Sequence, residues 1–148
     1  MKISTKGRYG LRSMIDLAIN SSGNTPVFIS DIAKRQHLSE KYLEHIFGAL
    51  HKAGLVRSIR GRKGGYLLQK NPEEITLSEI ITALEGKISL VECVLDPDIC
   101  PSAKKCVTRD LWQGLSDKIN EYLNSHTLND LIQMQKSREQ NDTLMYYI

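Results

Sequence analysis

Residues 28–53 run Phe28-Ile-Ser-Asp-Ile-Ala-Lys-Arg-Gln36, His37-Leu38, Ser39-Glu-Lys-Tyr-Leu-Glu-His-Ile-Phe-Gly-Ala-Leu-His-Lys-Ala53. Apolar residues recur three and four positions apart on both sides of the His37-Leu38 turn, which predicts two amphipathic helices. Ser30 and Ser39 are the expected N-caps, and Gly54 is well placed to end the second helix. With a preceding helix that starts near Ser4 or Thr5, the pattern predicts a helix-turn-helix.

A hairpin pattern follows this unit. Leu55-Val-Arg-Ser-Ile-Arg60 alternates as a strand does, Gly61-Arg-Lys-Gly-Gly65 predicts a turn, and Tyr66-Leu-Leu-Gln69 predicts a return strand. Thr76-Leu-Ser-Glu79 is a capping box that opens a helix to about Glu85. The fold class we expect is therefore mainly α-helical with a small β-hairpin, a winged helix-turn-helix.

The C-terminal half predicts a loop and two more helices. Pro97 and Pro101 place the cysteine-containing segment in a loop, and Thr108 is the expected cap of a long helix to about Asn124. A last helix begins at Thr127, and residues 141–148 carry no clear pattern. The apolar side of the long helix looks broader than this chain can cover, which favours a dimerisation helix, although an intramolecular core would give the same pattern. Its residues are Leu111, Trp112, Leu115, Ile119, Tyr122 and Leu123.

These patterns divide the chain into three expected regions. Residues 1–85 form a winged helix-turn-helix DNA-binding domain, residues 86–107 a cysteine loop for a cluster, and residues 108–148 the dimerisation helix and C-terminal helix.

The charges are distributed unevenly along the 148 residues. Residues 1–70 hold 13 Lys/Arg against 4 Asp/Glu, a net +9, whereas residues 71–148 hold 7 against 13, a net −6. A basic half indicates a polyanionic partner, most simply double-stranded DNA. A polar N-terminus and the absence of a long apolar run predict a cytoplasmic protein without a membrane partner. We find no catalytic triad, phosphate-binding glycine loop or paired carboxylates, so we do not expect an enzyme.

The candidate DNA contacts lie at the start of the recognition helix and in the hairpin. Glu44 is unusual, because a carboxylate facing DNA is useful only if it accepts from cytosine or rejects other sequences; an ordinary surface position is the alternative. Arginine at a hairpin tip suits a narrow minor groove. The candidates are Ser39, Lys41, Glu44 and His45 in the helix and Arg57, Arg60, Arg62 and Lys63 in the wing.

All three cysteines, Cys93, Cys100 and Cys106, lie within 14 residues. Gathered thiolates indicate an iron–sulfur cluster or zinc, but the absence of a Cys-x-x-Cys pair argues against a zinc knuckle. Because Lys104, Lys105 and Arg109 flank the thiols, free or redox-active cysteines that sense oxidation are the alternative.

The sequence resembles the IscR regulators of iron–sulfur cluster biogenesis in five segments: Met1-Lys-Ile-Ser-Thr-Lys-Gly-Arg-Tyr-Gly10, Leu38-Ser-Glu-Lys-Tyr-Leu-Glu44, Gly54-Leu-Val, Ser58-Ile-Arg-Gly61 and Gly64-Gly-Tyr-Leu-Leu68. The same segments and the closing Met145-Tyr-Tyr-Ile148 also resemble the cysteine-metabolism repressor CymR, and the nitric oxide sensor NsrR is a more distant relative.

The resemblance to IscR implies a winged-helix homodimer that represses iron–sulfur biogenesis genes from a roughly palindromic operator. It implies a sensing 2Fe–2S cluster held by Cys93, Cys100 and Cys106. It also implies that Ser39, Lys41 and His45 meet bases, that Glu44 discriminates between sequences, and that Arg60 enters the minor groove. Likeness to CymR implies instead a repressor controlled by a partner enzyme or thiol oxidation, and likeness to NsrR a nitric oxide sensor.

One position departs from the IscR pattern. IscR regulators have a histidine ligand three residues after the third cysteine, where this chain has Arg109. Arginine stays protonated and has no lone pair for a metal. The fourth ligand is therefore open among a residue of a second subunit, an exogenous ligand, and four side chains of this chain: Glu92, Asp98, Asp110 and His126.

Overall fold

The computed structural model describes residues 2–147. Its helices are α1 (Thr5–Asn20), α2 (Ile29–Gln36), α3 (Glu40–Lys52), α4 (Leu77–Glu85), α5 (Glu92–Leu95), α6 (Val107–Asn124) and α7 (Leu128–Tyr146), and its strands are β1 (Val56–Ile59) and β2 (Gly65–Leu68). Short 3₁₀ turns cover Ser22–Asn24, Pro72–Glu74, Pro97–Ile99 and Ala103–Lys105. The expected fold class, mainly helical with one antiparallel hairpin, is confirmed. Within residues 2–147, no helix combines the length and apolarity needed to cross a membrane.

Helix starts agree with the sequence where a side chain caps the backbone. Ser39 Oγ accepts from the N–H of Tyr42, and Thr76 forms a capping box with Glu79. Ser30 was the wrong cap for α2, because the N-cap is Phe28 without a side-chain bond. Thr108 was also wrong, since Cys106 is the N-cap of α6. In both cases the N-cap is an extended residue whose position is set by what precedes it. Phe28 follows Val27, which is hydrogen-bonded to Tyr66, and Cys106 follows the cysteine segment. These constraints override the local preference for a serine or threonine cap.

One apolar core joins the first four helices to α7. The fully buried side chains include Leu17 of α1, Phe47 of α3, Ile80 of α4 and Leu128 of α7. Gly10 of α1 lies so close to α4 that a Cβ there would collide with the Leu84 side chain. The helices α1 and α4 therefore pack closely, and α7 is anchored at its start.

The hairpin is attached to the body of the domain. Its strands pair from Val56 opposite Leu68 to Ile59 opposite Gly65. Tyr66 N–H donates to the carbonyl oxygen of Val27 at 2.8 Å, and Val27 N–H donates back at 3.0 Å. Gly65 has a φ of +134°, and a Cβ there would lie 2.5 Å from the Val27 carbonyl oxygen. The wing is thus fixed on the segment between α1 and α2, and Gly65 allows the close approach.

The C-terminal half differs from the sequence expectation in two places. The cysteine segment is not an irregular loop throughout, since it contains the one-turn helix α5 and two 3₁₀ turns. Residues 141–146, which carried no clear pattern, continue α7. Ile148 lies outside the described residues.

Candidate nucleic-acid interface and cysteine loop

The predicted recognition helix presents its candidate contacts on one exposed stripe. Lys41, Glu44 and His45 are exposed, while the opposite face of α3 is buried in the core. Ser39 is exposed at the helix start, where its Oγ accepts from Tyr42 N–H at 3.2 Å. A hydroxyl that accepts this bond still has its own proton to donate. The arrangement gives one acid, two bases and a hydroxyl donor along the N-terminal half of α3.

The wing candidates divide into two groups. Arg60, Arg62 and Lys63 are exposed at the hairpin tip. Arg57 is half-buried, and its Nη2 donates to Asn24 Oδ1 at 3.4 Å. The structure therefore assembles three cations at the tip and places Arg57 against the segment between α1 and α2.

A buried carboxylate that the sequence analysis missed ties α1 to α2. Asp16 is 7 % exposed. It accepts from Arg35 Nη2 at 2.7 Å, from Gln36 Nε2 at 2.8 Å and from Asn20 Nδ2 at 3.3 Å. Gln36 in turn accepts from Arg12 Nε at 3.1 Å. The sequence does contain a sign of this buried carboxylate, because Asp16 lies beside the apolar residues Met14 and Leu17 on the inward side of α1. Because α2 leads directly into the turn before α3, this network fixes the base of the helix-turn-helix.

The three predicted cluster ligands lie in one segment but are not gathered. Cys93, Cys100 and Cys106 are free thiols of intermediate exposure. Among residues 2–147, no three His, Cys, Asp or Glu side chains form a group that could hold a metal ion. The donor chemistry of three accessible thiols fits an iron–sulfur cluster, but the thiols have to move together before they can share one.

Cys106 has a distinct environment at the start of α6. Its Sγ lies 3.1 Å from Thr108 Oγ1. The hydrogen bond with Thr108 and the backbone N–H of Arg109 lower the pKa of Cys106 below its ordinary value. A half-exposed thiol with a lowered pKa is suited to ligate a metal or to react with an oxidant.

The candidates for a fourth ligand are spread apart. Glu92, Asp98 and Asp110 are exposed around the cysteine segment. His126 follows the 18-residue helix α6, so it stands about 27 Å along the helix from the thiol at its start. His126 of the same subunit is therefore too far away to complete a site at Cys106. Arg109 is not a free cation, because its Nε donates to the carbonyl oxygen of Cys93 at 2.9 Å.

Comparison with known proteins assigns the family. The model of the Rrf2 family, described as an iron-dependent transcriptional regulator, matches residues 3–134. The chain belongs to the Rrf2 family. Its relatives are named as transcriptional regulators and not as enzymes, which agrees with the expectation from the sequence.

Individual Rrf2-family members resemble the chain over most of its length. The regulator IscR of Pectobacterium atrosepticum is 41 % identical over 132 residues, which cover 89 % of this chain and 79 % of that protein. The solved structure of CymR, the global cysteine regulator of B. subtilis, is 47 % identical with a TM-score of 0.73 and covers 90 % of this chain and 98 % of that one. The structure of T. potens IscR is 40 % identical, with a TM-score of 0.73 and coverages of 91 % and 88 %. The expected resemblance to IscR and CymR is confirmed.

Proposed function

We propose that this Rrf2-family regulator is a cytoplasmic homodimeric repressor that binds operator DNA through α3 and the wing. The observation that carries the proposal is the exposed series Lys41, Glu44 and His45 on α3, together with the exposed cationic wing tip. Both lie in the basic half of the chain, where counterion release favours DNA binding. In this proposal Ser39, Lys41 and His45 meet bases. Arg60 enters the minor groove, and Glu44 restricts which sequences the protein accepts.

Arg60→Ala tests the DNA interface. A specific groove contact contributes about 1–3 kcal/mol, so operator affinity should fall between about 5-fold and 150-fold. Arg138→Ala, which removes an exposed arginine from the distal part of α7, is the matched control and should leave affinity unchanged. Binding is measured by fluorescence anisotropy with duplexes enriched from a random pool at fixed salt. Equal affinities of the two variants would contradict the assignment of the wing.

The proposed dimer interface is one side of α6. Only Ser116 is buried along this helix, which is described throughout. Val107, Leu111, Leu115 and Tyr122 are 81 %, 56 %, 44 % and 64 % exposed. They lie four, four and seven residues apart and form one stripe. An apolar stripe of this length suits a second copy of the chain, since two-fold dimers match a palindromic operator.

Leu111→Glu tests this interface. A charge buried between two copies is costly, so the variant should sediment as a monomer and lose cooperative operator binding. Gln113→Glu, which adds the same charge on the opposite side of α6, should stay a dimer. A dimeric Leu111→Glu protein would show that α6 is not the contact.

We further propose that Cys93, Cys100 and Cys106 hold a 2Fe–2S cluster and that cluster status controls iron–sulfur biogenesis genes. The support is the set of three free, partly exposed thiols in a family described as iron-dependent. When bound, the cluster supplies a group that responds to iron supply and oxidants. The protein supplies three thiols on one short segment, and hydrogen bonds from Thr108 and Arg109 lower the pKa of one of them, Cys106.

The cofactor test is the visible spectrum together with the iron and acid-labile sulfide content of the anaerobically reconstituted protein. Wild type should show charge-transfer bands and contain iron and sulfide. Each single Cys→Ser variant should be nearly colourless, because two thiolates hold the iron pair poorly. A colourless, iron-free wild type would refute the cluster.

A second candidate function is a CymR-like repressor controlled by a partner enzyme. The observation that favours it is the apolar end of α7, where Leu144, Met145, Tyr146 and Tyr147 are 62 %, 74 %, 92 % and 86 % exposed. Truncation after residue 143 should then leave operator affinity intact and abolish the response to the partner. If the truncated protein still responds normally in cells while the cysteine variants do not, the cluster alone is the signal.

A further inference from the structure

The carbonyl oxygen of Cys93 cannot find a donor in its own helical turn. A helical carbonyl accepts from the N–H four residues later, and the residue four positions after Cys93 is Pro97, which has no N–H. Arg109 Nε donates to this oxygen at 2.9 Å. The guanidinium therefore supplies the donor that the proline removes.

Two further side chains of α6 hold the residues that lead into this turn. Ser116 Oγ accepts from the backbone N–H of Leu90 at 3.2 Å, and Asn120 Nδ2 donates to the carbonyl oxygen of Ile88 at 3.3 Å. Ser116 is 2 % exposed. Because its hydroxyl is shielded from water, the bond to Leu90 is not easily replaced by solvent.

The three attachments lie on one face of α6. Arg109, Ser116 and Asn120 are seven and four residues apart, which returns to the same side of an α-helix. The exposed stripe that begins at Val107 lies about 155° away around the helix axis, at about 100° per residue. One side of α6 thus carries the cysteine segment, and the other is the proposed contact with a second copy.

We propose that Arg109 is a positioning residue that holds the Cys93-bearing turn on α6 whether or not the thiols bind a group. The helix α5 is four residues long, and a single turn does not persist without outside contacts. Arginine keeps its charge and its donors whether or not a group is bound, so the attachment does not depend on the thiols. The idea that this hydrogen bond presents Cys93 to a cluster rests on the proposed function. The hydrogen bond itself does not depend on that function.

The test is amide hydrogen exchange in the full-length, metal-free protein. The reporters are the amides of Val94 and Asp96, which close the turn by bonding to Val91 and Glu92. Arg109→Met keeps an apolar stem of similar length and removes the donor. Loss of a hydrogen bond to a charged donor should speed exchange of these amides by about tenfold or more.

Two variants separate the hydrogen bond from charge and bulk. Arg109→Lys retains a cationic donor and should restore most of the protection. Lys105→Met removes a neighbouring positive charge without touching this bond and should exchange like wild type. Adding Pro97→Ala to Arg109→Met restores an N–H four residues after Cys93 and should recover part of the protection.

The outcomes are distinguishable from those of the cluster test. Unchanged exchange in Arg109→Met, no rescue by lysine, or equally faster exchange in α3 would overturn the positioning role. Suppose that the wild type never binds iron, but exchange at Val94 and Asp96 is faster in Arg109→Met and slow again in Arg109→Lys. This result would refute the cluster and support the positioning role of Arg109. If the wild type binds a coloured cluster and exchange is unchanged in Arg109→Met, the cluster is supported and the positioning role is refuted.

Discussion

Replacing Asp16 by asparagine should destabilise the helix-turn-helix, although no proposed DNA contact is changed. The carboxylate accepts from side chains of α1 and α2, including Arg35 through both Nε and Nη2. Asparagine has the same shape but only one accepting oxygen, and its amide hydrogens point at groups that are themselves donors. The variant therefore leaves a donor facing a donor in a buried position.

The expected cost is moderate. Breaking a buried ion pair by changing one partner costs about 3–5 kcal/mol. The Arg35 side chain is 39 % exposed, however, so the released guanidinium regains water and the cost is reduced. We expect a loss of about 2 kcal/mol in the free energy of unfolding, which for a chain of this size lowers Tm by about 4–8 °C.

Thermal unfolding followed by circular dichroism measures this loss, and operator binding measured well below Tm shows its effect on α3. Asp31→Asn removes the same charge from the first turn of α2 and should cost at most about 1 kcal/mol, through the helix dipole and a weaker attraction to Arg35. If Asp16→Asn and Asp31→Asn unfold at the same temperature, the network contributes no more than a surface charge, and the reasoning is wrong.

Three further predictions concern packing, pH and specificity. Gly10→Ala should destabilise the fold by about 1–3 kcal/mol through its collision with Leu84, whereas Gly48→Ala, with nothing within 4 Å of the new Cβ, should stabilise it by up to about 1 kcal/mol; chemical denaturation compares them. Partial burial raises the pKa of Glu79, but hydrogen bonds from the adjacent lysine and the capping threonine outweigh it and lower the pKa. The stability that Glu79 contributes is therefore complete above its ordinary pKa and lost as pH falls through the lower folded value, so the Tm gap between wild type and Glu79→Gln should close as pH falls below the ordinary pKa of a glutamate. Glu44→Ala should broaden the set of sequences enriched from a random pool and leave the best site nearly unchanged, and a uniform loss of affinity would argue against discrimination.

The helix-turn-helix was predictable because its signals are local. The caps at Ser39 and Thr76 and the spacing of Leu43, Ile46 and Phe47 determine helix position within a few residues. Local cap preference failed at α2: the helix starts after Phe28 and not at Ser30, because Val27 is held in an extended bridge to Tyr66. Such bridges join residues 39 positions apart, and no short pattern contains them.

The candidate site was predictable as a set of residues but not as an arrangement. Exposure of Lys41, Glu44 and His45 follows from the apolar period of α3. The roles of Asp16 and Arg109 depend on partners 19 and 16 residues away, so periodicity alone does not show them. Pro97 was a usable signal, since a proline four residues after a helical carbonyl requires another donor.

The attachment of the wing at Gly65 bears on the thermodynamics of operator binding. A hairpin held through Tyr66 of β2 by two hydrogen bonds to Val27 is already in place before DNA arrives, so its strands have little conformational entropy left to lose. The heat-capacity change of association should then follow the surface buried on the duplex, without the excess that accompanies coupled folding. A side chain at position 65 would push the hairpin away from Val27. The hairpin would then have to order on binding, and the heat-capacity change of association would become more negative even in a protein that remains folded.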